Sequence, residues 1–118
     1  MTKEERMNAA RQLHRSGCNC CQSVVMAYVD KLPIDKESAA NVAAPFGRGL
    51  AGTREVCGCV SGMAMVCGLT DHSDQVKPLA EKFRQLNGDI VCGRLLQMGK
   101  KPCHEMVAEA AGMLADVL

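Results

Sequence analysis

The sequence predicts an all-α protein, a compact single-domain bundle of about five to six helices around a buried, Gly-rich central helix. Three observations predict it. Apolar residues recur three and four positions apart through most of the chain. Cap residues stand where those stripes begin. No run of alternating β-branched residues marks a strand. The 118 residues suit one domain spanning 1–118 and suffice for one core without covalent staples.

The first helix starts at Thr2, with Glu5 three residues on as a capping box, and runs to about Arg15 before Gly17 stops it. A second opens after Asn19, with Gln22 in the reciprocal position. Its stripe is Cys21, Val24, Val25, Tyr28, Val29 and Leu32, and Pro33 ends it. Asp35 caps a short helix that must stop before Pro45. The glycines of FGRGLAG, Phe46–Gly52, allow positive φ. Without the Gly-Lys-Ser/Thr ending of a phosphate-binding loop, the segment reads as a tight turn.

The stretch from about Arg54 to Leu69 is apolar on nearly all faces, which places it centrally. Gly58 and Gly62, four apart, let another backbone approach. An amphipathic helix follows from about Ser73 to Leu86, with Val76, Leu79, Ala80 and Phe83 inward. A short helix near Cys92–Met98 carries Leu95 and Leu96. The last begins at Pro102, with a stripe of Cys103, Met106, Val107, Ala110, Ala111, Leu114, Val117 and Leu118.

A net charge of +1, no Trp, one Tyr and two Phe argue against nucleic acid, which needs a basic face and stacking aromatics. Met1–Gln12 lacks the apolar core of a signal peptide. The longest apolar stretch, Val56–Leu69, falls short of the roughly 20 residues of a membrane span. The expected location is therefore cytoplasmic, and eight cysteines in a reducing compartment point to metal or redox chemistry more than to a disulfide scaffold.

Four of them, Cys20, Cys57, Cys92 and Cys103, fall in the first turns of four predicted helices. Cys20 follows the Asn19 cap, Cys92 lies three residues after an Asp89 cap, and Cys103 follows Pro102. Unpaired backbone N–H groups and the helix dipole there stabilise a thiolate, the form that attacks disulfides and binds metals. Cys18 and Cys21 form a C-x-x-C, and Cys57 and Cys59 a C-x-C; Cys18, Cys21 and Cys59 are secondary candidates. Cys67, deep in the apolar helix, reads as core, as do the methionines. His104 reads as an exposed first-turn residue, and His14 and His72 as surface positions.

The segment C-G-C-V-S-G, Cys57–Gly62, resembles the CGAxxG motif of the C_GCAxxG_C_C family of redox-active proteins. The similarity runs from about Gly17 to Ala111. It takes in G-x-N-C-x-Q-S-V at Gly17–Val24, A-P-F-G-x-G at Ala44–Gly49, C-x-x-L-L at Cys92 and C-x-x-x-V at Cys103. The resemblance implies that Cys20, Cys57, Cys92 and Cys103 are the family's four characteristic cysteines, and it implies redox chemistry. Periodicity alone favours Cys21 as the buried residue, whereas the family register picks Cys20. The sequence departs from the motif at Cys59, where the family has Ala, and Cys18, Cys21 and Cys67 are additional.

Three functions are open. In thiol–disulfide exchange, the protein is a thiol–disulfide oxidoreductase with Cys57 as nucleophile, Cys20 as resolver, and Cys92 and Cys103 as a second pair. In metal binding, the same four thiolates hold an iron–sulfur cluster or zinc. In the third, the chain is an interaction module with buried cysteines. The first two require a redox partner that the sequence does not identify. A homodimer is also expected, since the Gly-rich helix offers a close-packing face and cyclic dimers are the commonest assembly.

Overall fold

Thr2 and Glu5 close the first turn of α1 (Lys3–Arg15): the Glu5 N–H donates to the Thr2 hydroxyl and the Thr2 N–H to the Glu5 carboxylate. A computed structural model describes residues 1–118. Asn19 and Gln22 repeat the arrangement at α2 (Cys20–Met26), and Asp35 caps α3 (Lys36–Ala43). Then come α4 (Gly58–Leu69), α5 (Val76–Asn87), α6 (Cys92–Met98) and α7 (Cys103–Ala115). The seven α-helices exceed the five to six expected, because both short segments complete helical turns. Asp35 starts one, and Gly99, at φ 57°, ends the other. No strand forms; Val56 and Val91 make an isolated antiparallel bridge.

Two helices are shorter than their stripes predicted. The second was expected to reach Pro33, but α2 ends at Met26. The buried guanidinium of Arg6 takes the Ala27 carbonyl at 2.9 Å. Tyr28 turns inward to donate its hydroxyl to the Ala111 carbonyl at 2.7 Å, and a 3₁₀ turn, Val29–Lys31, follows. The central helix was expected from Arg54, but α4 begins at Gly58. Arg54 has φ 61°, and the next residues are extended against the loop before α6. The Cys57 N–H donates to the Ile90 carbonyl and the Cys92 N–H to the Glu55 carbonyl, each at 2.7 Å. The bridge thereby aligns the starts of α4 and α6. Ser73–Gln75 form a 3₁₀ turn ahead of α5 rather than its first turn.

The core is one cluster of 24 buried residues drawn mainly from α2, α4 and α7, with Leu79 and Phe83 of α5. Helix α1 packs along α7, and α4 packs on α2, α5 and α7. The glycines of α4 bring α2 close: a Cβ at Gly62 would stand 2.9 Å from Val24 Cβ and 3.2 Å from the Cys21 carbonyl oxygen. The face expected to serve a second copy is thus filled by the chain's own α2. No helix is long and apolar enough to cross a membrane.

Two predictions follow from this packing. Gly62→Ala should force α2 off α4 and cost about 1–3 kcal/mol of stability, as overpacking does, read by urea unfolding. Arg6 is 3% exposed and its partner Asp30 54%; hydrogen bonding from Arg6 holds the Asp30 carboxyl below its ordinary value. That contribution is complete above the unfolded carboxyl pKa of about 4 and is lost as pH falls through the lower folded value. Asp30→Asn should lose about 1 kcal/mol at pH 7 and flatten the acid limb of a stability–pH curve.

Candidate functional site

The starts of α2, α4, α6 and α7 meet at one cavity of about 370 Å³, and the last turn of α1 closes its side. Cys20 is the first residue of α2, Cys92 of α6 and Cys103 of α7. Cys57 is the N-cap of α4 rather than a first-turn residue. Val91 and Pro102, not Asp89 and a first-turn proline, occupy the cap positions of α6 and α7. These four cysteines and Cys18 all line the cavity. Cys57 is only 4% exposed, while Cys20, Cys92 and Cys103 are half-buried.

The remaining cysteines lie elsewhere. Cys21 is fully buried, with its thiol 3.8 Å from the Met65 sulfur, so the C-x-x-C does not present two thiols to the cavity. Burial pushes the Cys21 pKa up to about 12. Cys67 is fully buried in α4, as expected of a core residue. Cys59, also fully buried, neighbours Cys20 and Cys57, and that proximity with burial pushes its thiol well above its ordinary value.

The thiols divide into acceptors and donors. Cys20 is pushed down to about 3, first by the Cys103 thiol that donates to it, then by Cys59, with His14 adding to the effect against the cost of burial. Cys57 is also lowered, by the Cys59 thiol first and by the Cys59 and Val60 backbone N–H groups. Cys103 and Cys59 move the other way: each donates its proton to a neighbouring sulfur and resists ionising beside it. Closely packed thiols cannot all carry charge, so Cys20 and Cys57 shift toward thiolate while Cys59 and Cys103 shift away from it.

Two nitrogen-bearing side chains here were not legible in the sequence. His14, expected at the surface, brings Nε2 to 3.8 Å from Cys20 Sγ, and the donor atoms of His14, Cys20 and Cys103 all lie within 4.8 Å of one another. Arg54 donates from Nη1 to Cys92 Sγ at 3.6 Å. No spacing rule links residue 14 to Cys20 across a helix end, and Arg54 reaches Cys92 only through the bridge. The turn at Phe46–Gly52 is a turn as expected. Arg48, Leu50, Ala51 and Arg54 all have positive φ, a conformation costly for residues with a Cβ. It carries Arg48 and Arg54 to the cavity wall. His104 pairs with Glu105 at 3.8 Å and His72 with Thr70 at 3.1 Å, and neither lines the cavity.

A thiolate at Cys20 makes its reactivity insensitive to pH. Between pH 5 and 7 an ordinary thiol gains roughly 100-fold in thiolate. In metal-free, reduced protein the alkylation rate of Cys20 by iodoacetamide should change less than about twofold over that interval. Peptide mapping distinguishes Cys20 from its neighbours.

Searches of the curated proteins and of the solved structures returned no match. A family profile matches residues 18–117, from the residue after Gly17 through α7, and leaves α1 with His14 outside. The matched span contains all eight cysteines and every element that meets at the cavity except α1. The chain therefore belongs to the family described as "Putative redox-active protein (C_GCAxxG_C_C)".

Proposed function

We propose that this redox-active protein carries electrons at an iron–sulfur centre held by Cys20, Cys57, Cys92 and Cys103, and passes them to and from a separate redox partner. The observation that carries the reading is that these four thiols, from four helix starts, line one cavity. A dithiol device needs two sulfurs; four gathered from separate elements suit a centre that several thiolates share. The donor set is soft, as iron–sulfur clusters and zinc prefer. Zinc has no redox chemistry, so the redox character of the family favours iron–sulfur.

The bound cluster would supply a one-electron couple. The chain's own residues supply the rest. Cys20 and Cys57 are already biased toward thiolate, the form a ligand must take. Arg48 and Arg54 offset the negative charge of the sulfurs. Leu95, Leu96 and Met106 line the wall and keep it apolar, which limits water near the centre.

Iron and acid-labile sulfide analysis of anaerobically purified protein tests the reading. Both should be present, and Ser at Cys20, Cys57, Cys92 or Cys103 should reduce them severalfold, whereas Cys67→Ala should leave them unchanged. Anaerobic protein free of iron and sulfide overturns the reading.

One observation favours a second reading: Cys20 and Cys103 have their sulfurs within 4.8 Å, one biased to thiolate and one to thiol. In exchange chemistry the Cys20 thiolate attacks a substrate disulfide and releases one substrate thiolate. Cys103, its proton lost to solvent, then attacks the mixed disulfide and releases the second, leaving a Cys20–Cys103 disulfide. Cys57, at 4% exposure, is poorly placed to meet a protein disulfide, so the nucleophile in this reading is Cys20. Metal-free protein in which Cys103→Ser traps a mixed disulfide on Cys20 would select it.

A further inference from the structure

His14 has no part in the ligand set above, yet its ring stands at the cavity. Its Nε2 is 3.8 Å from Cys20 Sγ. Its position is imposed by the fold. Helix α1 is packed along α7, and its end is fastened: the Ser16 N–H donates to the Gln12 carbonyl at 2.9 Å, Cys18 to Leu13 at 3.1 Å and Gly17 to His14 at 3.2 Å. The ring is half-buried. The family match begins at residue 18, so nothing in that match assigns His14 a role.

We propose that His14 is a positioning residue for the redox couple: its Nε2–H donates to the Cys20 sulfur and so favours the reduced, more negative state of the centre. The inference rests on Cys20 being a ligand of that centre. A ligating thiolate offers lone pairs and no proton, so the proton shared across this contact belongs to the imidazole. Hydrogen bonds to ligand sulfurs are a principal means by which a protein sets the potential of a cluster. A donor aimed at a sulfur whose charge grows on reduction holds the reduced state more strongly than the oxidised one. The redox step forms and breaks no bond: the centre gains one electron and an external reductant, dithionite in the titration, loses it.

The test is an anaerobic potentiometric titration of the cluster-loaded protein, followed by its visible and electron paramagnetic resonance spectra, with His14→Ala and His14→Gln. His14→Ala should bind iron and sulfide as the unaltered protein does. Its reduction equilibrium constant should be about tenfold lower, a drop of about 59 mV for one electron. His14→Gln, which keeps an N–H at similar reach, should recover most of the loss. An unmoved potential in His14→Ala, or a drop that Gln does not relieve, overturns the proposal. Strong ¹⁴N hyperfine coupling in the unaltered protein, or loss of iron from His14→Ala, overturns it in favour of direct ligation. Protein without iron or sulfide overturns the function proposed above and this inference with it, whereas bound iron with an unmoved potential overturns the inference alone.

Discussion

The backbone of α2 lies directly on α4 because Gly58 and Gly62 carry no side chain. A Cβ at Gly58 would stand 2.9 Å from the Cys21 nitrogen and 3.1 Å from Cys20 Cβ, closer than packed atoms allow. This contact puts the first residue of one helix beside the start of another, so Cys20 meets Cys57 and Cys59 although more than thirty positions separate them in the chain. Everything else at the cavity is added to that pair. The Val56–Val91 bridge brings α6 and Cys92, and the packing of α7 on α1, α2 and α4 brings Cys103.

Gathering thiols this closely creates an electrostatic problem whose solution is the character of the site. Charge on one sulfur opposes charge on the next, more strongly where water is scarce. The protons therefore distribute unevenly: Cys20 and Cys57 lean to thiolate, and Cys59 and Cys103 keep theirs and donate. Cys59 is fully buried in α4, and its single S–H sits next to the Cys20 and Cys57 sulfurs that it favours as anions. The imidazole of His14 from α1 and the guanidinium of Arg54 from the turn before α4 also face the sulfurs. The positive-φ backbone of that turn is a local cost met by the packing around it, and it delivers two arginines to a cavity of thiols.

The sequence by itself determined that the chain is helical and which residues cap α1, α2 and α3, because capping and amphipathic spacing are local. Thr2 with Glu5 and Asn19 with Gln22 bond across three residues, and Asp35 reaches the N–H of Ser38. It also determined that Cys20, Cys92 and Cys103 open helices, and that Cys67 and the α7 stripe are core. Tertiary structure decided where helices stop when a distant group intervenes: Arg6, twenty-one positions away, takes the carbonyl that ends α2, and the bridge to Val91 keeps residues 55–57 out of α4. Periodicity already placed Cys21 in the buried stripe, and tertiary structure added that Cys21 faces Met65 while Cys20 lines the cavity. It also decided the company the cysteines keep, since His14 and Arg54 reach their sulfurs through packing between elements, for which neighbouring residues in the chain carry no signal.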